Sequence, residues 1–128
     1  MLLYRANSRK SLSQIAQSFE AITQRHKFGV LAVHDLKVKL KEKGIDSAQE
    51  CLIYEVCNPQ QAKKVLEANP EISTALPCRI AIYPEGGGVT LATIRPTSMI
   101  EMFNTPELKS VAEEVETVLI KIIDEAAR

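Results

Sequence analysis

The stretch from Cys51 to Tyr83, CLIYEVCNPQQAKKVLEANPEISTALPCRIAIY, constrains the fold more than any other part of the chain. An apolar run of strand-favouring residues, Leu52 to Val56, ends at Cys57-Asn58-Pro59. Asparagine is a favoured helix N-cap, and proline at the first helical position gives up only a donor that would lack a partner anyway. Gln61, three residues after the cap, adds a box-like start. Ala62, Val65 and Leu66 then mark a buried helix face, and Asn69-Pro70 stops the helix. A loop from Glu71 to Leu76 leads through Pro77 into a second apolar run, Cys78 to Tyr83. The pattern is strand, helix, strand, with Cys57 and Cys78 at its two joints.

The elements on either side follow from the same signals. Met1 to Tyr4 reads as a first strand. Ser11 and Gln14 form a capping box, and Leu12, Ile15, Phe19 and Ile22 recur at helical spacing up to His26. His26, near that helix end, is expected to meet the terminal carbonyls. Phe28 to Val33 is strand-like. Beyond it two readings compete. Leu36, Val38 and Leu40 alternate with Lys37, Lys39 and Lys41, which favours a continued strand. Asp35 as an N-cap and Lys43-Gly44 as a C-terminus favour a helix instead.

Pro84-Glu85-Gly86-Gly87-Gly88 separates two strand-like runs, the second being Val89 to Ile94. Phosphate-binding glycine motifs are followed directly by a helix; a strand follows here, so the segment reads as a hairpin. Thr97 caps a short turn through Phe103. Thr105-Pro106 is read as the start of the last helix, whose stripe runs from Leu108 through Val111, Ala112, Val115, Val118, Leu119, Ile122 and Ile123. Glu113, Glu114 and Glu116 are expected to face water.

The elements sum to a single α+β domain over residues 1–128, ordered β-α-β-α-β-α-β-β-α, with a mixed sheet and helices packed on it. At 128 residues, 45% hydrophobic and 25% charged, the chain has an ordinary globular composition. No run approaches the ~20 apolar residues of a membrane span, and the apolar N-terminal patch is too short for a signal peptide, so a cytoplasmic protein with no membrane partner is expected. Three cysteines without CxxC spacing suggest neither a disulfide framework nor the usual zinc signatures. Net charge is zero but uneven: residues 1–43 hold nine basic and three acidic side chains, the remainder seven and thirteen. The four lysines from Lys37 to Lys43 have no interleaved aromatic residue and read as a solvated face, not a nucleic-acid patch.

The segments GVLAVHDL with LKEKG (29–36 and 40–44), EVCNPQQA (55–62) and ALPCRIAIY (75–83) resemble the bacterial and archaeal family known as domain of unknown function 302, as does the order of elements. The resemblance implies a compact α+β homodimer, a helical segment from Asp35 to Lys43, and no settled activity. Relatives often place a lysine in or after the hairpin turn, where this chain has Gly86-Gly87-Gly88.

Chemistry concentrates on four residues. Cys57, just before a helix start, sits where the helix dipole favours a thiolate, so an activated thiol or a ligand to a metal is open to it. A buried, inert cysteine is the alternative. Cys78 would lie at the opposite end of the sheet if its strand ran parallel to that of Cys57, which disfavours an intrachain disulfide. His34 joins Cys57 only if their strands end side by side; otherwise it is a hydrogen-bonded histidine. The resulting expectation is a homodimer binding a small ligand or metal near Cys57, Asn58, His34 and Cys78. A thiol-dependent redox or transfer enzyme using Cys57 is the rival, and an interaction module without a ligand is the third reading. No cofactor is specified.

Overall fold

The computed structural model describes all residues from Met1 to Arg128. Local signals place most element boundaries. Ser11 Oγ accepts from Gln14 N at 3.1 Å while Gln14 Oε1 accepts from Ser11 N at 2.9 Å, and helix α1 runs from Leu12–Arg25. Strands β1 (Leu3–Ser8) and β2 (Gly29–Asp35) flank it. Asp35 then accepts from Val38 N at 3.2 Å and opens helix α2, Leu36–Glu42, which resolves the ambiguous segment in favour of a helix. Strand β3 (Leu52–Cys57) passes through the Asn58 cap into helix α3 (Pro59–Ala68). A 3-10 helix, Pro70–Ala75, occupies the stretch read as a loop, and Asn69 caps it by accepting from Glu71 N.

Strands β4 (Cys78–Glu85) and β5 (Gly88–Ile94) form the hairpin. Gly86 (φ 60°) and Gly87 (φ 84°) take the left-handed conformations that such a tight turn needs. A side chain at Gly88 would place its Cβ 2.6 Å from the carbonyl oxygen of Ser8, so β1 approaches the turn closely. Helix α4, Pro96–Glu101, follows directly. The last helix corrects the expected start: Pro106–Leu108 is a separate 3-10 turn, Thr105 makes no side-chain cap, and helix α5 spans Lys109–Ala127. Thr105 Oγ1 instead accepts from Asn69 Nδ2 and donates to Phe103 O.

The sheet order is β1-β5-β4-β3-β2, and every pairing is antiparallel. The α+β class stands, while the mixed sheet is corrected. The reason lies in where the connecting helices dock. Helix α3 and its 3-10 extension pack on each other and on α5, at the Cys57 end of the sheet, so the chain turns back beside β3 instead of crossing the sheet face. Helix α2, although it buries no residue, lies in the return at the opposite end, between β2 and β3.

The core lies on one sheet face. Ile15, Phe19 and Ile22 of α1 and Leu119, Ile122 and Ile123 of α5 pack with Tyr54, Val56, Ile80, Ile82 and Leu91. Phe19 and Tyr54 rings meet at 4.5 Å between centroids. A second, smaller cluster joins Val65, Ile72 and Leu108 below the sheet end, with Leu76, Ile100, Phe103 and Val111 against it. Truncating a fully buried side chain such as Ile80 would cost about 2–5 kcal/mol.

Candidate functional site

At the Cys57 end of the sheet the two apolar clusters meet incompletely. The gap is a cavity of about 70 Å³, and fifteen of its eighteen lining residues are hydrophobic. Phe28, Val56 and Cys78 of the main core form one wall, Val65, Ile72 and Leu108 of the smaller cluster another. Helix α4 contributes Met99 and Ile100, and α5 contributes Val111 and Ala112. Cys57, Asn58 and Gln61 border it, all three at the strand-to-helix junction that dominates the sequence.

The junction is held by Asn58. Its Oδ1 accepts from Gln61 N at 3.1 Å, as a cap should, and its Nδ2 donates to the carbonyl of Lys27 at 3.0 Å. Lys27 has a left-handed φ of 68°, uncommon for a side chain of this kind, so the Asn58 bond ties down a turn that the backbone alone disfavours. Gln61 reaches outward with Nε2 to Glu114 Oε2 at 2.9 Å. Its other amide atom, Oε1, is buried without a hydrogen-bond partner. A buried carbonyl oxygen left unpaired costs roughly 1–3 kcal/mol.

The cysteines are brought together, contrary to the parallel arrangement considered from the sequence. Cys78 pairs in register with Val56, so β3 ends where β4 begins and both thiols line the same cavity. Both thiols are shifted upward, away from the thiolate. Burial pushes the Cys57 thiol above its ordinary value, and burial with the nearby Cys57 pushes Cys78 up to about 11. Cys51, near the other end of β3, is also raised by burial, with the Asp35 carboxylate adding to it.

His34 lies elsewhere. In the antiparallel register it faces Ile53 while Gly29 faces Cys57, which separates His34 from Cys57 by about 13 Å along the strands. Its Nε2 lies 3.0 Å from Glu55 Oε1, and Arg79 Nε approaches the same oxygen at 3.7 Å. His34 is a hydrogen-bonded residue of the sheet face away from the core. His26 meets the terminal carbonyls only through its backbone N–H, which donates to Thr23 O at 3.1 Å, while its side-chain Nε2 lies 3.1 Å from Glu125 Oε1, beside an Arg25–Glu125 ion pair. No group of three or more His, Cys, Asp or Glu side chains converges on a point.

Two residues at the site escaped sequence reasoning. The position of Gln61 three residues after the cap accounts for its backbone N–H and says nothing about its buried side-chain oxygen. Glu116, expected in water, instead accepts from Thr97 N at 3.1 Å, Thr97 Oγ1 at 2.7 Å and Arg95 Nη1 at 3.2 Å. Burial alone would raise its carboxyl, but the Thr97 and Arg95 bonds together hold it below the usual range. The clamp fixes α4, one wall of the cavity, onto α5. Spacing gave no signal for it.

Comparison with known proteins adds a family and a fold. The family model described as "Domain of unknown function DUF302" matches residues 4–126. The chain is similar to a solved structure, the crystal structure of an uncharacterized conserved DUF302 protein from Bacillus stearothermophilus. The two are 33% identical, with a TM-score of 0.92, over 100% of this chain and 99% of that one. No curated protein matches the chain.

Proposed function

We propose that this chain, which belongs to the DUF302 family, binds a small, mainly apolar molecule carrying one hydrogen-bond donor, in the cavity between its two hydrophobic clusters. The observation that carries the reading is the buried Gln61 Oε1, an acceptor without a partner at the edge of an otherwise apolar space. Small-molecule sites generally combine an apolar lining with a few placed polar groups. About 70 Å³ of space admits several water-sized units, so the occupant is a small ring or short chain. Cys57 and Cys78, both held as neutral thiols, serve as apolar wall. The raised thiols support binding over thiol chemistry.

Phenol and benzene make a suitable probe pair, because they differ by one hydroxyl donor. Phenol is expected to bind more tightly by about 1–2 kcal/mol, roughly five- to thirtyfold in Kd, read by titration of backbone amide shifts. Gln61→Leu should erase that difference while leaving benzene binding in place. Equal affinities for the two probes in the native chain, or no saturable shifts around Phe28, Val65 and Val111, would overturn the reading.

A homodimer is the second part of the proposal. Helices α1 and α5 both pack on one sheet face, and the opposite face presents Leu3, Ile53, Ala81 and Ile94 with neither of these helices over them. A second copy of the chain, laid on this face, would bury it.

A further inference from the structure

A different part of the surface is more exposed still. Six of the eleven exposed large hydrophobic residues fall in one stretch of fifteen: Leu31 and Val33 on β2, Leu36, Val38 and Leu40 on α2, and Ile45 just after it. Their exposures run from 36% to 63%. Every residue from Asp35 to Asp46 is exposed, and α2 has no buried residue at all. The segment is nonetheless well formed: Asp35 caps it, Leu36 N donates to Cys51 O, and Ile45 N closes it by donating to Leu40 O. Strand β2 beside it is an edge of the sheet. A folded helix that buries none of its aliphatic side chains lacks the usual source of helix stability, which is tertiary packing.

The charges indicate what meets it. Residues 37–43 set four lysines against one glutamate, with the aliphatic residues alternating between the lysines. A second copy placed here would bring lysines against lysines. A protein partner of any kind would have to desolvate ammonium groups scattered through the centre of the contact, where lysine is depleted. A bilayer surface does not ask this. Lysine stems lie along the acyl boundary while their charged ends stay among the phosphates. Polybasic segments gain from anionic lipid with each added charge.

We propose that α2 and the adjoining edge of β2 form a docking surface for an anionic lipid bilayer, on which the chain lies without crossing it. No helix is long and apolar enough to cross, which concerns spanning and leaves surface contact open. The surface is separate from the cavity, which draws on none of these residues.

Flotation with vesicles of phosphatidylcholine containing a third phosphatidylglycerol, against vesicles of phosphatidylcholine alone, tests this. The full chain is expected to float with the anionic vesicles and not with the neutral ones, and to be released as salt is raised. The triple change Lys37→Glu, Lys39→Glu, Lys41→Glu lies wholly on exposed side chains and should lower the partition coefficient at least tenfold. Leu36→Ser with Leu40→Ser should lower it comparably, with circular dichroism confirming that each variant is folded. Absence of flotation with anionic vesicles overturns the proposal, including the case where the chain instead associates with itself through α2. So does flotation that the charge reversal leaves unchanged.

Discussion

At the scale of single residues, Cys57 shows how two legitimate physical effects compete. The Cys57-Asn58-Pro59 motif correctly announces a helix start, and the dipole there does favour a thiolate. What the motif does not reveal is that the half-buried Cys57 borders a largely apolar cavity, where burial pushes its thiol up. Alkylation followed against pH should therefore place the Cys57 inflection above the ordinary cysteine value, with Cys78 slower still and titrating near 11. An inflection for Cys57 below the ordinary value would restore the activated thiol. Asn58 was legible because capping is local: its bond to Gln61 N spans three residues. Gln61 Oε1 was not, because its burial depends on α3, α5 and the end of the sheet arriving together.

Elements were legible where the expected cap forms, at Ser11, Asp35 and Asn58, and less so at Thr105, which makes no cap; α2 shows the strength of the signal. Its alternation of aliphatic and lysine residues pointed to a strand, yet Asp35 capped a helix. Alternation carries information only when one face is buried, and nothing in α2 is buried. Glu116 is the converse case, a residue whose partners on α4 no periodicity could indicate. Its folded carboxyl lies below the unfolded value of about 4.3, so the stability it contributes is present above that pH and is lost as pH falls through the lower folded value. Glu116→Gln should lower stability at neutral pH by about 1–2 kcal/mol and flatten the acid limb of the stability curve, as read by urea unfolding between pH 3 and 7. An acid limb identical to that of the native chain would mean that another carboxylate governs it.

For the molecule as a whole, strand direction was the feature that sequence could not supply. A strand–helix–strand pattern is compatible with a parallel crossover over the sheet face or with an antiparallel return at its end, and only the docking of α3 chooses between them. That choice moved Cys78 next to Cys57, and the like return through α2, between β2 and β3, sent His34 to the far end. It also left one sheet face without a long helix, and the proposed homodimer rests on that face. The face carries apolar residues from four strands, Leu3, Ile94, Ala81 and Ile53, and a polar row in which Glu55 joins His34 and Arg79. Ile94, already 42% exposed and at the middle of no packed core, is the discriminating position. Ile94→Glu should convert the dimer to a monomer in light scattering while leaving thermal unfolding of the monomer within about 0.5 kcal/mol, as expected of an exposed site. A native chain that scatters as a monomer at all accessible concentrations, or a dimer that survives Ile94→Glu unchanged, would remove this face from consideration and leave the sheet as a one-sided scaffold for the cavity.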